Sequence, residues 1–376
     1  MKIVFICSAL EPGRDGVGDY TRRLAGELIR RGDDVVIFSL NDRYVDNVLS
    51  GLQCAEGTDV PVVRIPSGYS IKQRFLLAKE QIDQIGPDWL SLQYVPFGFH
   101  PKGLHAGLSK RLSSLGKGRR WHIMFHELWV GMALEESKKL VWWGRGQRYF
   151  IKSLLNNLRP SDVHTQTRLY QAQIAKLGFN ADYLPLFGNI PVNSPTGKNG
   201  KAFVSEKISF VIFGSIHDGA PIDEFAKEAA KYSREKGVVI SFTFVGRCGP
   251  ERDRWSAILR SEALSVEFHG EESAIRISDI LSNSTMGISA TALAVIEKSG
   301  SFAAMREHGL TVICVSKPWQ PAGIPKLELP AGIVEYKIGN FEECISCNRH
   351  VPFNNSVIDV ADKFRDTIVN TSRLTL

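Results

Sequence analysis

The chain opens with Met1-Lys-Ile-Val-Phe-Ile-Cys7 and runs directly into Ser8-Ala-Leu-Glu-Pro-Gly-Arg-Asp-Gly-Val-Gly-Asp-Tyr20. The first stretch is a short apolar run rich in β-branched and aromatic residues, as expected of a strand buried on both faces. The second carries Gly13, Gly16 and Gly18, and an apolar helical period follows from Tyr20 to about residue 31. Strand, glycine loop and helix in that order are the start of a parallel α/β unit. The apolar run holds one Lys and reaches Glu11 and Pro12 without a cleavage-site pattern, so it reads as a first strand rather than a signal peptide, and a cytoplasmic protein is expected.

The same alternation continues outward. Strands are predicted at 34–40, 62–65, 89–95, 121–126, 162–167 and 183–186, with helical stretches at 72–85 and 104–115 among them. The segment 189–201 (NIPVNSPTGKNGK) is rich in Pro, Gly, Asn and Ser and lacks apolar periodicity, so it reads as a linker. Beyond it the pattern restarts, with strands at 208–213, 238–245, 266–269, 287–289 and 311–315 and helices at 222–236, 252–261, 273–281 and 301–308. The predicted fold class is α/β: two Rossmann-like domains, 1–190 and 202–350, facing each other across a cleft. A last amphipathic helix within 356–376, with Val357, Ile358, Val360, Ala361, Phe364 and Ile368 on its apolar face, is expected to cross back to the first domain. Open parallel sheets bind ligands beyond the carboxyl ends of their strands, so functional residues are sought there.

Composition narrows the possibilities. With 376 residues, 43% hydrophobic and 23% charged, the chain suits two globular domains, and no stretch approaches the ~20 apolar residues of a membrane span. Six cysteines without a framework pattern suit a reducing compartment. Cys344-Ile-Ser-Cys347 with His350 has metal-ligand spacing, but no second pair accompanies it and no metal is expected. The net charge of +6 is concentrated: Lys138, Lys139, Arg145, Arg148, Lys152 and Arg159 occur among Trp142, Trp143, Tyr149 and Phe150 with no acidic residue between them. Segment 138–159 therefore reads as a peripheral contact with an anionic membrane, a site for an acidic acceptor, or a solvated helix face. No nucleic-acid motif accompanies it.

Several loops can carry chemistry. Helix N-termini favour anions, so phosphate is the natural ligand of Gly16 and Gly18, with Asp19 placed to cap a helix beginning near Tyr20. A dinucleotide fingerprint fits poorly: the glycine order is G-x-x-G-x-G, several residues separate it from the strand, and Asp42 alone is offered for a ribose. In the second half Ser299, Gly300 and Ser301 open a helix ended by Gly309, a second candidate phosphate site, with Lys298 beside it. His126 and Glu127 close a first-domain strand, whereas His100, Thr165 and Thr167 at similar places read as loop packing.

PGRDGVGDYTRRLAGELIRRGDDVVIF (12–38), FHELW (125–129), FGSIHDG (213–219), FVGR (244–247) and IEKSGSFAAMREHGLTVI (296–313) together resemble, in order and spacing, the family 4-like retaining GT-B glycosyltransferases. The resemblance spans nearly the whole chain. It implies transfer of a sugar from a nucleotide-diphosphate donor to a hydroxyl acceptor, a glycan or lipid-linked precursor, with retention and without cofactor or metal. It assigns the donor to Gly16, Gly18, Lys298, Ser299, Gly300 and Ser301, the sugar to Glu297 and His126, and the acceptor side to Asp19, Tyr20 and Glu127. Two departures stand out. Ala304 occupies the place of the family's ribose glutamate, and Phe213–Ala220 lacks the Arg and Lys that neutralise the leaving diphosphate. His217, Arg247 and Lys298 are the candidate substitutes. A sugar-nucleotide epimerase and a non-catalytic carbohydrate-binding protein of the same fold remain alternatives.

Overall fold

The computed structural model describes residues 1–193, 207–324, 327–347, 353 and 355–373. The chain divides into two compact units: Met1–Pro185 with Pro321–Pro325 and Val357–Leu376, and Leu186–Gln320 with Lys326–Ser356.

In the first unit the elements follow as β1 (Lys2–Cys7), α1 (Gly16–Arg30), β2 (Asp34–Asp42), β3 (Leu49–Ala55), β4 (Thr58–Pro66), α2 (Ile71–Ile85), β5 (Trp89–Tyr94), α3 (Pro96–Phe99), α4 (Leu108–Leu115), β6 (Arg120–Phe125), α5 (Lys138–Leu158), β7 (Asp162–Thr165), α6 (Arg168–Ala175) and β8 (Asp182–Tyr183). The sheet order is β3-β4-β2-β1-β5-β6-β7-β8, parallel throughout except for the β3–β4 hairpin. β1 and β5 lie at the centre, where helices cover both faces, and every residue of β5 is buried.

The hairpin escaped the sequence reading, which saw only a strand at 62–65. Its turn, Glu56-Gly57, has φ of +50° and +81°, the doubly left-handed geometry of a two-residue hairpin, and β3 is largely exposed and so lacks an apolar signature.

The second unit runs β9 (Lys207–Phe213), α7 (Ile222–Lys236), β10 (Val239–Val245), α8 (Glu251–Ser261), β11 (Ser265–Gly270), α9 (Ala274–Asn283), β12 (Met286–Ser289), a 3₁₀ turn (Leu293–Lys298), α10 (Gly300–Glu307), β13 (Thr311–Cys314), β14 (Ile333–Glu335) and α11 (Phe341–Ser346). Its sheet, β11-β10-β9-β12-β13-β14, is parallel. Phe210, Phe225, Phe242 and Phe341 pack as a connected aromatic cluster on one face.

The last helix, α12 (Val357–Arg373), returns to the first unit as expected. Phe364 stacks on Phe5 with ring centroids 5.7 Å apart and meets His122 edge-on at 5.0 Å. Arg31 pairs with Asp362, Arg365 pairs with Asp33, and Thr371 donates to Asp162. Ile358, expected on the apolar face, is instead 53% exposed, because its neighbour Val357 and then Val360, Ala361 and Phe364 define the buried stripe. Linker residues 194–201 and His350 lie outside the described residues.

Candidate functional site

At the carboxyl edge of the first sheet the glycine loop is bound down by its own polar groups. Asp15, not Asp19, caps α1, its Oδ1 accepting the Gly18 N–H at 2.7 Å. The helix starts at Gly16, earlier than the apolar period indicated, because the Asp15 cap fixes a first turn that carries two glycines and Asp19 rather than an apolar stripe. Asp19 instead accepts from Gly13 N–H and pairs with Arg22, whose other nitrogens donate to Leu10 O and Gln53. Burial pushes the Asp15 carboxyl up from its ordinary range. Gly18 is needed for close approach: a Cβ there would stand 2.8 Å from Ala9 O. Gly16 is exposed, with open space where a Cβ would stand. Asp42 is wholly buried in a two-bond pair with Arg64 and also accepts from Leu10 N–H, so it holds the loop and offers nothing to a ribose.

His126 stands at the end of β6, 4% exposed, with the ring of Tyr20 from α1 edge-on at 4.9 Å. Both predicted residues are therefore brought together. Glu127 follows, partly exposed. Each imidazole nitrogen of His126 faces a glutamine: Nε2 lies 2.9 Å from Gln93 Oε1 and Nδ1 lies 3.2 Å from the Gln166 amide. Desolvation holds the ring neutral, its pKa lowered to about 4. The sequence reading missed both glutamines. Polar residues spaced by two along otherwise apolar strands, Ser91-x-Gln93 and His164-x-Gln166, were the available signal.

At the carboxyl edge of the second sheet, Gly214, Gly246 and Gly270 follow or end β9, β10 and β11 with φ of +81°, +81° and +61°. They turn the chain where a side chain would be strained. Gly214 also lies against α10, since a Cβ on it would come within 2.8 Å of Ser301 Oγ. Ser299 caps α10 by accepting the Phe302 N–H at 3.2 Å, and its oxygen lies 3.5 Å from Ser301 Oγ. Helix geometry leaves the first N–H groups, those of Gly300 and Ser301, without intrahelical partners. Glu297 and Lys298 end the preceding 3₁₀ turn, both partly buried. The predicted Glu297, Lys298, Ser299, Gly300 and Ser301 thus form one neighbourhood, to which the structure adds Gly214.

The candidate substitutes for the missing bases differ. His217 is exposed on its loop, and the exposed Arg247 pairs with Glu271 at 2.8 Å. A further cation was missed: Lys317 follows β13, with its stem along Gly219 of the same loop. Ala304 is fully buried beneath Gly188, while Glu307 accepts the Gly188 N–H at 2.9 Å. Asn193 N–H donates to Ser278 Oγ, which lies 2.9 Å from His308 Nε2. This binds the segment after Pro185 to the second unit.

The remaining strand-end residues serve local structure. His100 Nδ1 accepts from Lys102 and Leu104 N–H groups, Thr165 donates to Phe125 O, and Thr167 caps α6. Along α5, Lys138, Trp142, Arg145, Tyr149 and Lys152 form an exposed stripe, Arg145 lying 4.4 Å over the Trp142 ring. Among the described residues no helix is long and apolar enough to cross a membrane, and no group of three or more His, Cys, Asp or Glu is placed to hold a metal.

No protein-family model matches the sequence, and no curated protein is similar to it at the level of sequence. Solved structures are similar along the whole chain. The lipopolysaccharide outer core galactosyltransferase WaaB in its apo form is 14% identical, with 98% of this chain and 99% of that one covered and a TM-score of 0.53. HepE of Anabaena in complex with UDP-glucose is 12% identical over 98% and 100%, with a TM-score of 0.57. A glycosyltransferase from Rickettsia africae is 12% identical over 98% and 94%, with a TM-score of 0.55. The likeness establishes the fold, two parallel α/β units of the GT-B kind.

Proposed function

We propose that the chain is a glycosyltransferase that moves a sugar from a nucleotide-diphosphate donor to a hydroxyl of a glycan or lipid-linked acceptor, with retention and without a metal. The observation that carries this reading is the carboxyl edge of the second unit, where the start of α10, capped by Ser299, abuts the glycine turn at Gly214 and follows Glu297 directly. Unpaired N–H groups at a helix start suit a diphosphate, and a carboxylate beside them suits sugar hydroxyls. The fold shared with WaaB and with UDP-glucose-bound HepE supports the same assignment.

In this reading the second unit holds the donor and the first supplies the acceptor side, with Asp19 and Tyr20 on α1 and Glu127 just after β6. The sugar C1–O bond to the diphosphate breaks with oxocarbenium character. The acceptor oxygen bonds to C1 on the same face, and its proton passes to the leaving phosphate oxygen. His126, neutral and enclosed by Gln93 and Gln166, does not act as the base. Lys298, Lys317 and His217 offset the leaving charge in place of the missing pair.

The α5 stripe is read as a peripheral contact with anionic lipid at the inner face of a membrane, since Trp142 and Tyr149 are 68% and 69% exposed beside Lys138, Arg145 and Lys152. A second reading, a non-catalytic carbohydrate-binding protein of the same fold, is favoured by one observation: Ala304 is sealed under Gly188, where the resembled enzymes carry their ribose glutamate. A thermal-shift screen against UDP-, GDP- and ADP-sugars, followed by mass analysis of products, tests both. Binding with transfer supports the first reading, whereas no shift, hydrolysis or transfer with any of these donors removes it and supports the second.

A further inference from the structure

On one face of the first sheet, six side chains that pattern and burial would assign to an apolar core are polar and joined in series. His126 Nε2 meets Gln93 Oε1 at 2.9 Å, and Gln93 Nε2 donates to Ser91 Oγ at 2.8 Å. Ser91 Oγ lies 2.7 Å from His122 Nδ1, and His122 Nε2 lies 2.9 Å from His164 Nδ1. At the other end Gln166 Oε1 lies 3.2 Å from His126 Nδ1. The series runs from the carboxyl edge inward across β5, β6 and β7, and none of its members is more than 4% exposed.

A neutral imidazole has one N–H and one lone pair, and a hydroxyl has one hydrogen to give. Each link therefore fixes the next. If Gln93 donates to Ser91, Ser91 donates to His122 Nδ1, His122 carries its proton on Nε2 and gives it to His164 Nδ1, and His164 carries its own proton on Nε2. In the other direction Gln93 Oε1 receives the Nε2–H of His126, which leaves Nδ1 as a lone pair facing Gln166, and the Gln166 amide then turns over, exchanging Oε1 for Nε2, to donate to it. The opposite arrangement reverses every donor and puts all three protons on Nδ1. A mixed arrangement leaves two buried donors or two buried acceptors face to face, or makes Ser91 accept from both Gln93 and His122 with its own hydrogen unspent, and each is costly in a buried site.

The His164 end selects between the two. Asp182 on β8 is the register partner of His164, and Asp162 stands two residues before His164 on the same face of β7. An anionic end favours N–H dipoles directed toward it, which is the arrangement with all protons on Nε2.

We propose that the chain has one collective polarity and that Ser91 and Gln93 are positioning residues for His126, fixing it as the Nε2–H ring with its Nδ1 lone pair at the carboxyl edge. Nδ1 is then an acceptor, occupied by Gln166 and open to a sugar hydroxyl that displaces it. This last consequence rests on the glycosyl-transfer reading, whereas the polarity does not.

The test is nitrogen-15 spectroscopy of the imidazoles in the full chain without any donor, which reports the tautomer of each ring. His122, His126 and His164 are expected to share the Nε2–H form. A Ser91→Ala substitution should leave His126 in mixed tautomers, and Ser91→Thr, which keeps the hydroxyl, should restore the single form. Different tautomers among the three rings of the unsubstituted protein, or an unchanged His126 in Ser91→Ala, would overturn the proposal. The first measurement needs no variant to fold. If UDP-glucose or another sugar nucleotide is turned over, kcat in Ser91→Ala should fall roughly fivefold or more and recover in Ser91→Thr. An unchanged kcat with a scrambled tautomer would refute the positioning role alone.

Discussion

Gly188 rests directly on Ala304: a Cβ on the glycine would stand 2.8 Å from Ala304 Cα and 3.0 Å from its nitrogen, while the Gly188 N–H donates to Glu307 one turn further along α10. The segment leaving the first unit thus closes over the residue that takes the place of the ribose glutamate. Gly188→Ala is expected to destabilise the protein by about 2 kcal/mol, since the neighbours are backbone atoms that cannot give way. Ala304→Glu, which supplies the carboxylate seen in the resembled enzymes, should unfold the protein at lower temperature and fail to tighten UDP-sugar binding, because no space or partner awaits the charge. Thermal melts and donor titration of the two variants check both points. Tighter donor binding in Ala304→Glu would show that the ribose position is open.

Four buried histidines set a pH limit on the first unit. Burial lowers His105, His126 and His164 to about 4 and His122 well below its ordinary value. With an unfolded value near 6.5, the unfolded chain binds more protons than the folded one below that pH. Stability from these groups is complete above pH ~6.5 and is lost as the pH falls toward about 4, by roughly 3 kcal/mol each for His105, His126 and His164. Urea midpoints measured between pH 7.5 and 4.5 should fall steadily, and His122→Phe should flatten the slope. A midpoint that is constant over this window would contradict the buried neutral chain.

Gly18 tests the loop that opens the sequence. Any Cβ there meets Ala9 O at 2.8 Å and Leu10 Cα at 3.2 Å. Gly18→Ala should cost about 1–3 kcal/mol by displacing the loop from α1. Gly16→Ala should cost less than about 1 kcal/mol, since nothing stands near its Cα. Chemical denaturation of the pair separates a packing role from a mere preference for glycine.

Binding to lipid is checked on α5. Trp142→Ala with Tyr149→Ala removes the two exposed rings and leaves the basic residues. Sedimentation with phosphatidylserine vesicles should weaken about tenfold in the double variant. The unsubstituted protein should bind phosphatidylcholine alone poorly and lose affinity as salt is raised. Equal binding to both vesicle types would rule out an electrostatic contact.

The sequence made the strand, loop and helix order of both units legible because parallel strands buried on both faces are unbroken apolar runs, as in β1 and β5. It also brought out the return of α12, whose apolar stripe had no other place to be buried. What it concealed had little apolar pattern. The exposed strand β3, the three-residue β14 and the early start of α1 on Asp15 depend on hydrogen bonds rather than on periodicity. At the candidate site, Ser299, Gly300 and Ser301 were readable from helix-start chemistry. The glutamines around His126 left only the spacing of polar residues by two along apolar strands, whereas the Glu271 partner of Arg247 and the approach of Lys317 to Gly219 arise from residues far apart in the chain, and spacing carries no trace of them.

Ser299 joins stability to binding and can be dissected by two substitutions. Its side chain accepts the Phe302 N–H at the start of α10. Ser299→Ala should cost about 1 kcal/mol of stability through the lost cap, whereas Ser299→Gly should cost only a few tenths. If the helix start binds a diphosphate, both variants lose the hydroxyl and should weaken binding of a UDP-sugar to a similar degree, by roughly three- to tenfold, despite their different stabilities. Calorimetric titration set beside thermal melts gives the two quantities separately. Donor affinity that tracks stability across the pair would mean that the cap alone matters, and affinity unchanged in both would move the diphosphate away from this helix.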